Sequence, residues 1–299
     1  MARMLLFLGL VCGPLFAVTP PQEEPPEEAA GEPLLFTQVD WRQLGQIEII
    51  DREGSTLLER RGDVWFLPRW RLYPAEPAYV QFLIETLAKL TIGKLAAVNP
   101  VDRSYFGLAD EAKTLILRHE NGNEIGRLQV GKGLDHYRRT YLQVGYQKAV
   151  RVVDAQLVPA LYRSTWAKRT LWRFEEELLT EIVIRGFSKD FQAAKDRDGQ
   201  WRLLRPAAYE LSDSFFTELL PRLTHLRAGH VSLREAGDEP LAPMKYIQLT
   251  VDEIRLSLDL GKRDATSKSL PAWRQGEPVV FHLSAGLEDD LDAAIEALP

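Results

Sequence analysis

The densest group of chemically capable side chains is a run of basic and aromatic residues, His136-Tyr137-Arg138-Arg139-Thr140-Tyr141, followed downstream by Trp166-Ala167-Lys168-Arg169 and Trp172-Arg173. Guanidinium groups beside aromatic rings stack on and hydrogen-bond sugars or anionic polymers, and the same pairing makes hot spots at protein interfaces. Arg138, Arg139, Tyr141, Lys168, Arg169 and Arg173 are therefore the candidate ligand or partner surface, joined by Tyr105 and Phe106 from an earlier loop. Trp166 and Trp172 are expected to pack the connector around them while their basic neighbours reach outward, because large aromatics favour the core.

Other residue types do not form a catalytic pattern. The histidines His119, His136, His225, His230 and His282 lack zinc-site spacing, and His225 and His230 lie too far apart to share a helical face. Gly131-Lys132-Gly133 and Gly261-Lys262 lack the frame of a phosphate loop and precede strands, so they read as hairpin turns. Ser284-Ala285-Gly286 reads as a strand-to-helix cap rather than a nucleophile elbow. Adjacent acids such as Glu175-Glu176-Glu177 and Asp289-Asp290 point away from each other and read as solvated faces. The single cysteine, Cys12, lies in the first 18 residues, which leaves the remainder without a disulfide framework or thiol nucleophile. No catalytic residue, cofactor or metal is expected.

Positioning falls to two stretches that copy each other. Residues 47–98 and 183–234 match at an offset of 136 (65 to 201): Arg61, Trp65, Leu67, Arg69 and Tyr73 fall on Arg197, Trp201, Leu203, Arg205 and Tyr209, and Leu83, Leu87, Leu90 and Gly93 fall on Leu219, Leu223, Leu226 and Gly229. In each copy, short strands lead into a helix with one apolar face, built from Val80, Leu83, Ile84, Leu87 and Leu90 or from Phe216, Leu219, Leu220, Leu223 and Leu226. Pro77 suits the first turn of the first helix and Ser212 the N-cap of the second, Pro221 should kink the second, and Gly93 and Gly229 should end the pair. Alternating strands follow at an offset of 130 (131 to 261), so the second copy is six residues shorter, read as loss of the Tyr105-Phe106-Gly107-Leu108 loop. Closing helical segments are expected at 155–161 and 286–298.

The expected fold is α+β, two tandem copies of a mainly antiparallel β-sheet module, each with one long amphipathic helix. The expected boundaries are 34–162 for the first module, 163–180 for a connector and 181–299 for the second. Ahead of them, residues 1–18 read as a signal peptide or short membrane anchor: Arg3 precedes an uncharged apolar run at 4–18, short of the ~20 residues that span a bilayer. Residues 19–33 form a tether rich in Pro and Glu, too polar to bury surface. The formal charge of −6 is concentrated there, with Glu23, Glu24, Glu27, Glu28 and Glu32 and no base. The rest is close to neutral, without the basic footprint a nucleic-acid binder needs.

Several of these features, taken in order, carry a resemblance. Gly62-Asp63-Val64-Trp65, the helix after it, Tyr105-Phe106-Gly107-Leu108, Val130-Gly131-Lys132 and the stretch from Trp166 to Phe174 resemble the bacterial family catalogued as domain of unknown function 4340 (DUF4340). The resemblance spans roughly residues 47–298 and implies an N-terminal membrane segment and an extracytoplasmic body. Some members are encoded with or fused to ABC-type transport systems of the gliding-motility kind. It implies no catalytic residues. The chain departs from the family in its short, Pro-containing apolar segment and long acidic tether.

The expected function is that of a non-catalytic exported envelope protein, in the bacterial periplasm or at the outer face of the cytoplasmic membrane. It would dock an envelope protein partner such as an ABC-type membrane complex, with no nucleic acid involved. The alternatives are a cell-wall or polysaccharide binding module, using the Arg and aromatic residues, and a hydrolase with a cleft between the modules.

Overall fold

Alternation of apolar and polar residues, broken by Gly, Asn and Asp, dictates short strands joined by tight turns, and antiparallel sheet dominates. The computed structural model describes residues 33–37, 39–205, 209–210, 220–234, 244–264, 266 and 268–297. The expected export segment at 1–18 with Cys12, nearly all of the tether, and Ser212, Phe216 and Leu219 lie outside the described residues.

The first sheet comes from β1 (Leu44–Asp51), β2 (Gly54–Arg61), β3 (Val64–Leu67) and β4 (Tyr73–Pro74), then helix α1 (Pro77–Ala88), then β5 (Lys94–Ala97), β6 (Lys113–His119), β7 (Glu124–Leu134), β8 (Arg139–Val144) and β9 (Val150–Val153), closed by the short helix α2 (Leu157–Leu161). Its spatial order is β4-β3-β2-β1-β6-β7-β8-β9-β5. The chain continues through β10 (Thr170–Arg173), β11 (Leu179–Arg185), β12 (Phe191–Lys195), β13 (Trp201–Arg205), β14 (Tyr209–Glu210), a helical turn at 220–224, β15 (His225–Arg227), β16 (His230–Leu233), β17 (Lys245–Val251), β18 (Ile254–Leu260), β19 (Ser269–Trp273), β20 (Val279–Ser284) and helix α3 (Ala285–Glu296). The second large sheet runs β14-β13-β12-β11-β17-β18-β19-β20-β16, the order of the first. The fold is α+β and rich in antiparallel sheet.

Pairing registers correct the ungapped offset of the first strands. Ile47 pairs with Leu58 and Leu117, and in the second sheet Ile182 pairs with Ala193 and Leu249. The counterpart of Ile47 is therefore Ile182, not Val183, because the turn before β13 is longer than the turn before β3. Side chains alternate with a period of two, so a slip of one residue would have turned the buried Ile47 and Ile49 to the wrong face.

Helix α1 starts at Pro77, whose fixed φ suits a first turn, and buries Val80, Leu83 and Leu87 against the sheet core at roughly 1.5–3 kcal/mol for each side chain. It ends at Ala88, well before Gly93. Gly93 has φ +73 and lies against β9, where an added Cβ would stand 2.5 Å from the Val152 carbonyl oxygen, so its role is close approach rather than helix capping. Helix α3 is capped by the Ser284 hydroxyl, which accepts from the Gly286 N–H at 3.3 Å.

The stretch expected as a connector is itself built in. Thr170, Trp172 and Arg173 of β10 pair with β15, and the Trp172 indole N–H donates to the Leu223 carbonyl at 2.5 Å. In the first half, Leu34 bridges to Thr91 and the Leu35 N–H donates to the Leu90 carbonyl at 2.6 Å, the same arrangement one offset earlier.

Candidate functional site

Two glycines place the residues around Tyr105. After β5 the chain makes a 3-10 turn over Ser104–Phe106 and reverses at Gly107, which has φ +66. An added Cβ on Gly107 would stand 2.6 Å from the Lys132 amide nitrogen, and one on Gly131 would collide with the Phe106 carbonyl oxygen. Gly131-Lys132-Gly133 therefore lies inside β7, at a register shift between Val130 and Gly133, and is no hairpin turn. It is a backbone surface on which the loop rests.

That contact assembles an aromatic cluster. Phe106 meets Tyr105 and Tyr141 edge to face, each at 5.0 Å, and the Lys132 ammonium sits 4.6 Å from the Tyr105 ring centre. The β7–β8 turn follows, with Asp135, His136 and Tyr137 all at positive φ (48, 55 and 67). Left-handed backbone costs a non-glycine residue about 1–2 kcal/mol. Three in succession hold this turn in a strained form, the kind of local strain found at functional sites. The turn carries exposed Arg138 and leads to Arg139, whose guanidinium pairs with Asp135. Tyr105, Phe106, Arg138, Arg139 and Tyr141 thus share one end of the first sheet. Tyr105 is 61% exposed and Tyr137 55%.

Lys168, Arg169 and Arg173 lie elsewhere, on the segment joining the halves. Trp166 and Trp172 beside them are buried. The Lys168 backbone N–H donates to the Pro74 carbonyl at 2.9 Å, and its carbonyl accepts from the Tyr73 hydroxyl at 3.1 Å. The Arg169 guanidinium reaches the Tyr79 hydroxyl and the Gly229 carbonyl, and the Arg169 amide donates to Glu76. Arg173 is exposed at the end of β10. These groups mostly secure the junction, with Glu76 also 3.6 Å from Arg227.

The structure joins residues that spacing along the chain keeps apart. His230 on β16 faces His282 on β20 with ring centres 5.5 Å apart, and the Ser232 hydroxyl lies 2.9 Å from His282 Nε2. Burial, with the neighbouring His230 charge, lowers the pKa of His282, and Asp264 partly opposes this. Both members of the Ser-His pair belong to the second sheet. Ser232 lines a cleft of about 390 Å³ between the halves, with Asp51 and Lys113 on the other side, whereas His282 lines a separate recess with Asp264, Lys268 and Ser284. Among the described residues no cluster of three His, Cys, Asp or Glu could hold a metal ion.

A further recess has little trace in the sequence. About 400 Å³ in volume, it is bounded by Arg103, Thr114, Arg127, Gln129, Gln143 and Lys148. Its only advance signal is the polar alternation of Thr114, Gln129 and Gln143, which pair across β6, β7 and β8.

No curated protein and no solved structure matches the chain. The profile described as Domain of unknown function (DUF4340) matches residues 65–246, more than half of the chain and a narrower span than the sequence resemblance suggested. The hairpin tryptophan, the loop resting on Gly131 and the strand end beneath it all fall inside that match, and the chain belongs to the DUF4340 family.

Proposed function

We propose that this chain is a non-catalytic, exported envelope protein made of two tandem copies of one α+β module, and that it docks a membrane assembly, an ABC-type transporter among the candidates, through the first module. The observation that carries this reading is the exposed end of the first sheet. There Tyr137, Arg138 and Arg139 on or beside a strained turn share one end of the sheet with Tyr105, and tyrosine and arginine are enriched at binding hot spots. The shared strand order, and the matching bridges at Leu34 and Thr170, support the duplication. Export rests on the apolar run at residues 4–18.

The test places a photo-crosslinking residue at Tyr105 or, as a control, at exposed Ile254 of the second module, in cells. The docking reading expects one discrete membrane-protein adduct from Tyr105, lost on Arg138→Glu with Arg139→Glu and absent from Ile254. Equal adducts from both positions, or none from Tyr105, would overturn it. A hydrolase is the second reading, favoured by the bond between Ser232 and His282. It requires covalent labelling of Ser232 by a fluorophosphonate and loss of that labelling in His282→Ala.

A further inference from the structure

We propose that the recess on the open face of the first sheet binds a small carboxylated sugar. Its floor is the row Thr114, Gln129 and Gln143, one residue from each of β6, β7 and β8. One wall is the segment from Asn99 to Arg103 and the other the turn from Gly145 to Lys148. A volume of about 400 Å³ falls within the roughly 300–1,000 Å³ of small-molecule pockets.

Charge selects the anion. Arg103, Arg127 and Lys148 line the recess and no carboxylate does. Arg127 is answered by Glu124 at 2.9 Å, whereas Arg103 and Lys148 have no ion pair among the described residues. Arg103 is instead aimed by two neutral acceptors, the side-chain oxygens of Gln129 at 2.6 Å and Gln143 at 2.8 Å. Gln143 is buried and in turn donates to the Lys148 carbonyl at 2.8 Å. The guanidinium is thus oriented without being neutralised: both bonds leave Nη2, so the Nη1 and Nε hydrogens remain for charge-assisted hydrogen bonds to a carboxylate. Because the chain beyond the tether is close to neutral, a concave site whose charged lining residues are all cations attracts anions.

The remaining lining suits a sugar ring. Asn99, Gln129 and Gln147 offer amides that both donate to and accept from hydroxyl groups. Tyr146 is 85% exposed, and the Arg127 guanidinium lies 5.3 Å from its ring centre, so an aromatic face stands at the rim for the C–H face of a pyranose. The second sheet does not repeat the pattern. Its corresponding row is Tyr246, Asp259 and Trp273, with an acid in place of Gln129 and an indole in place of Gln143. The link that follows β16 is four residues shorter than the link after β5, and its residues 235–243 lie outside those described.

Calorimetric titration of the full chain with galacturonate, galactose and inorganic phosphate tests the site, independently of the partner crosslink at Tyr105. Galacturonate should bind at one site per chain, galactose roughly tenfold or more weaker for want of the charged hydrogen bonds, and phosphate should not compete. Arg103→Ala should weaken galacturonate by a similar factor, and Tyr146→Ala, an exposed change, should weaken both sugars together. Galactose binding as tightly as galacturonate overturns the role of Arg103, and phosphate displacing galacturonate at equal affinity overturns the sugar. No binding of galacturonate by a chain that unfolds normally overturns the site.

Discussion

Glu277, in the turn between β19 and β20, ionises against its surroundings. Burial raises its pKa more than Arg274 and Lys168 lower it, and one of its carboxylate oxygens is buried without a hydrogen-bond partner. A carboxyl with a raised folded pKa stabilises below its ordinary range, and that contribution is lost as pH rises through the folded value. Glu277→Gln should therefore raise the unfolding midpoint at neutral pH, with the gain shrinking towards about pH 4 in thermal scans. Asp51 has the opposite sign, because the hydrogen bond from Lys113 lowers its pKa; its contribution is present at neutral pH and lost on acidification. Space decides the second residue-scale prediction. Gly131→Ala drives a methyl into the Phe106 carbonyl and should cost about 1–3 kcal/mol in denaturant unfolding. Gly261→Ala should cost less, since its nearest neighbours are side-chain atoms of Pro271 at 3.1 Å and Trp273 at 3.2 Å.

At the level of elements, the β7–β8 turn is where conformation rather than contact sets the energy. His136 is exposed and left-handed, so His136→Gly removes a steric cost and should stabilise by up to about 1 kcal/mol after the entropy of glycine is deducted. Unchanged or lower stability in urea would show that the turn is not strained. Which elements were legible follows from what each depends on. Strands such as β6 and β18 alternate cleanly and bound themselves with turn residues. β19 is hard to read from sequence because Pro271 demotes the run Ser-Leu-Pro-Ala-Trp; it survives because β18 pairs with it only at Asp259 and Leu260, while the Gly261 N–H donates to the Pro271 carbonyl at 2.8 Å. β5 and β16 give little local signal, because each is only four residues long and pairs with a distant strand. The candidate site was half legible. Aromatic and arginine content marked Tyr105 and Arg138, but nothing local announces that Gln129 and Gln143 converge on Arg103.

Across the whole molecule, the two large sheets share one buried core. Tyr73 of the first sheet meets Phe281 of the second edge to face at 6.5 Å, Ala75 bridges to Ala167, and the Glu76 N–H donates to the Trp166 carbonyl at 2.8 Å. Burial raises the Tyr73 pKa well above the usual phenol range, helped by the nearby charge of Glu277. A continuous apolar cluster running through both halves couples them, because opening the seam would expose Trp166, Trp172 and Phe281 together. The full chain should therefore unfold in a single calorimetric transition. Phe281→Ala, which should cost about 3–5 kcal/mol, should lower that one transition and reduce amide-exchange protection in β1 and β6 of the other sheet as well. Two resolved transitions, or protection lost from the second sheet alone, would mean that the seam is a contact between independent domains rather than a core.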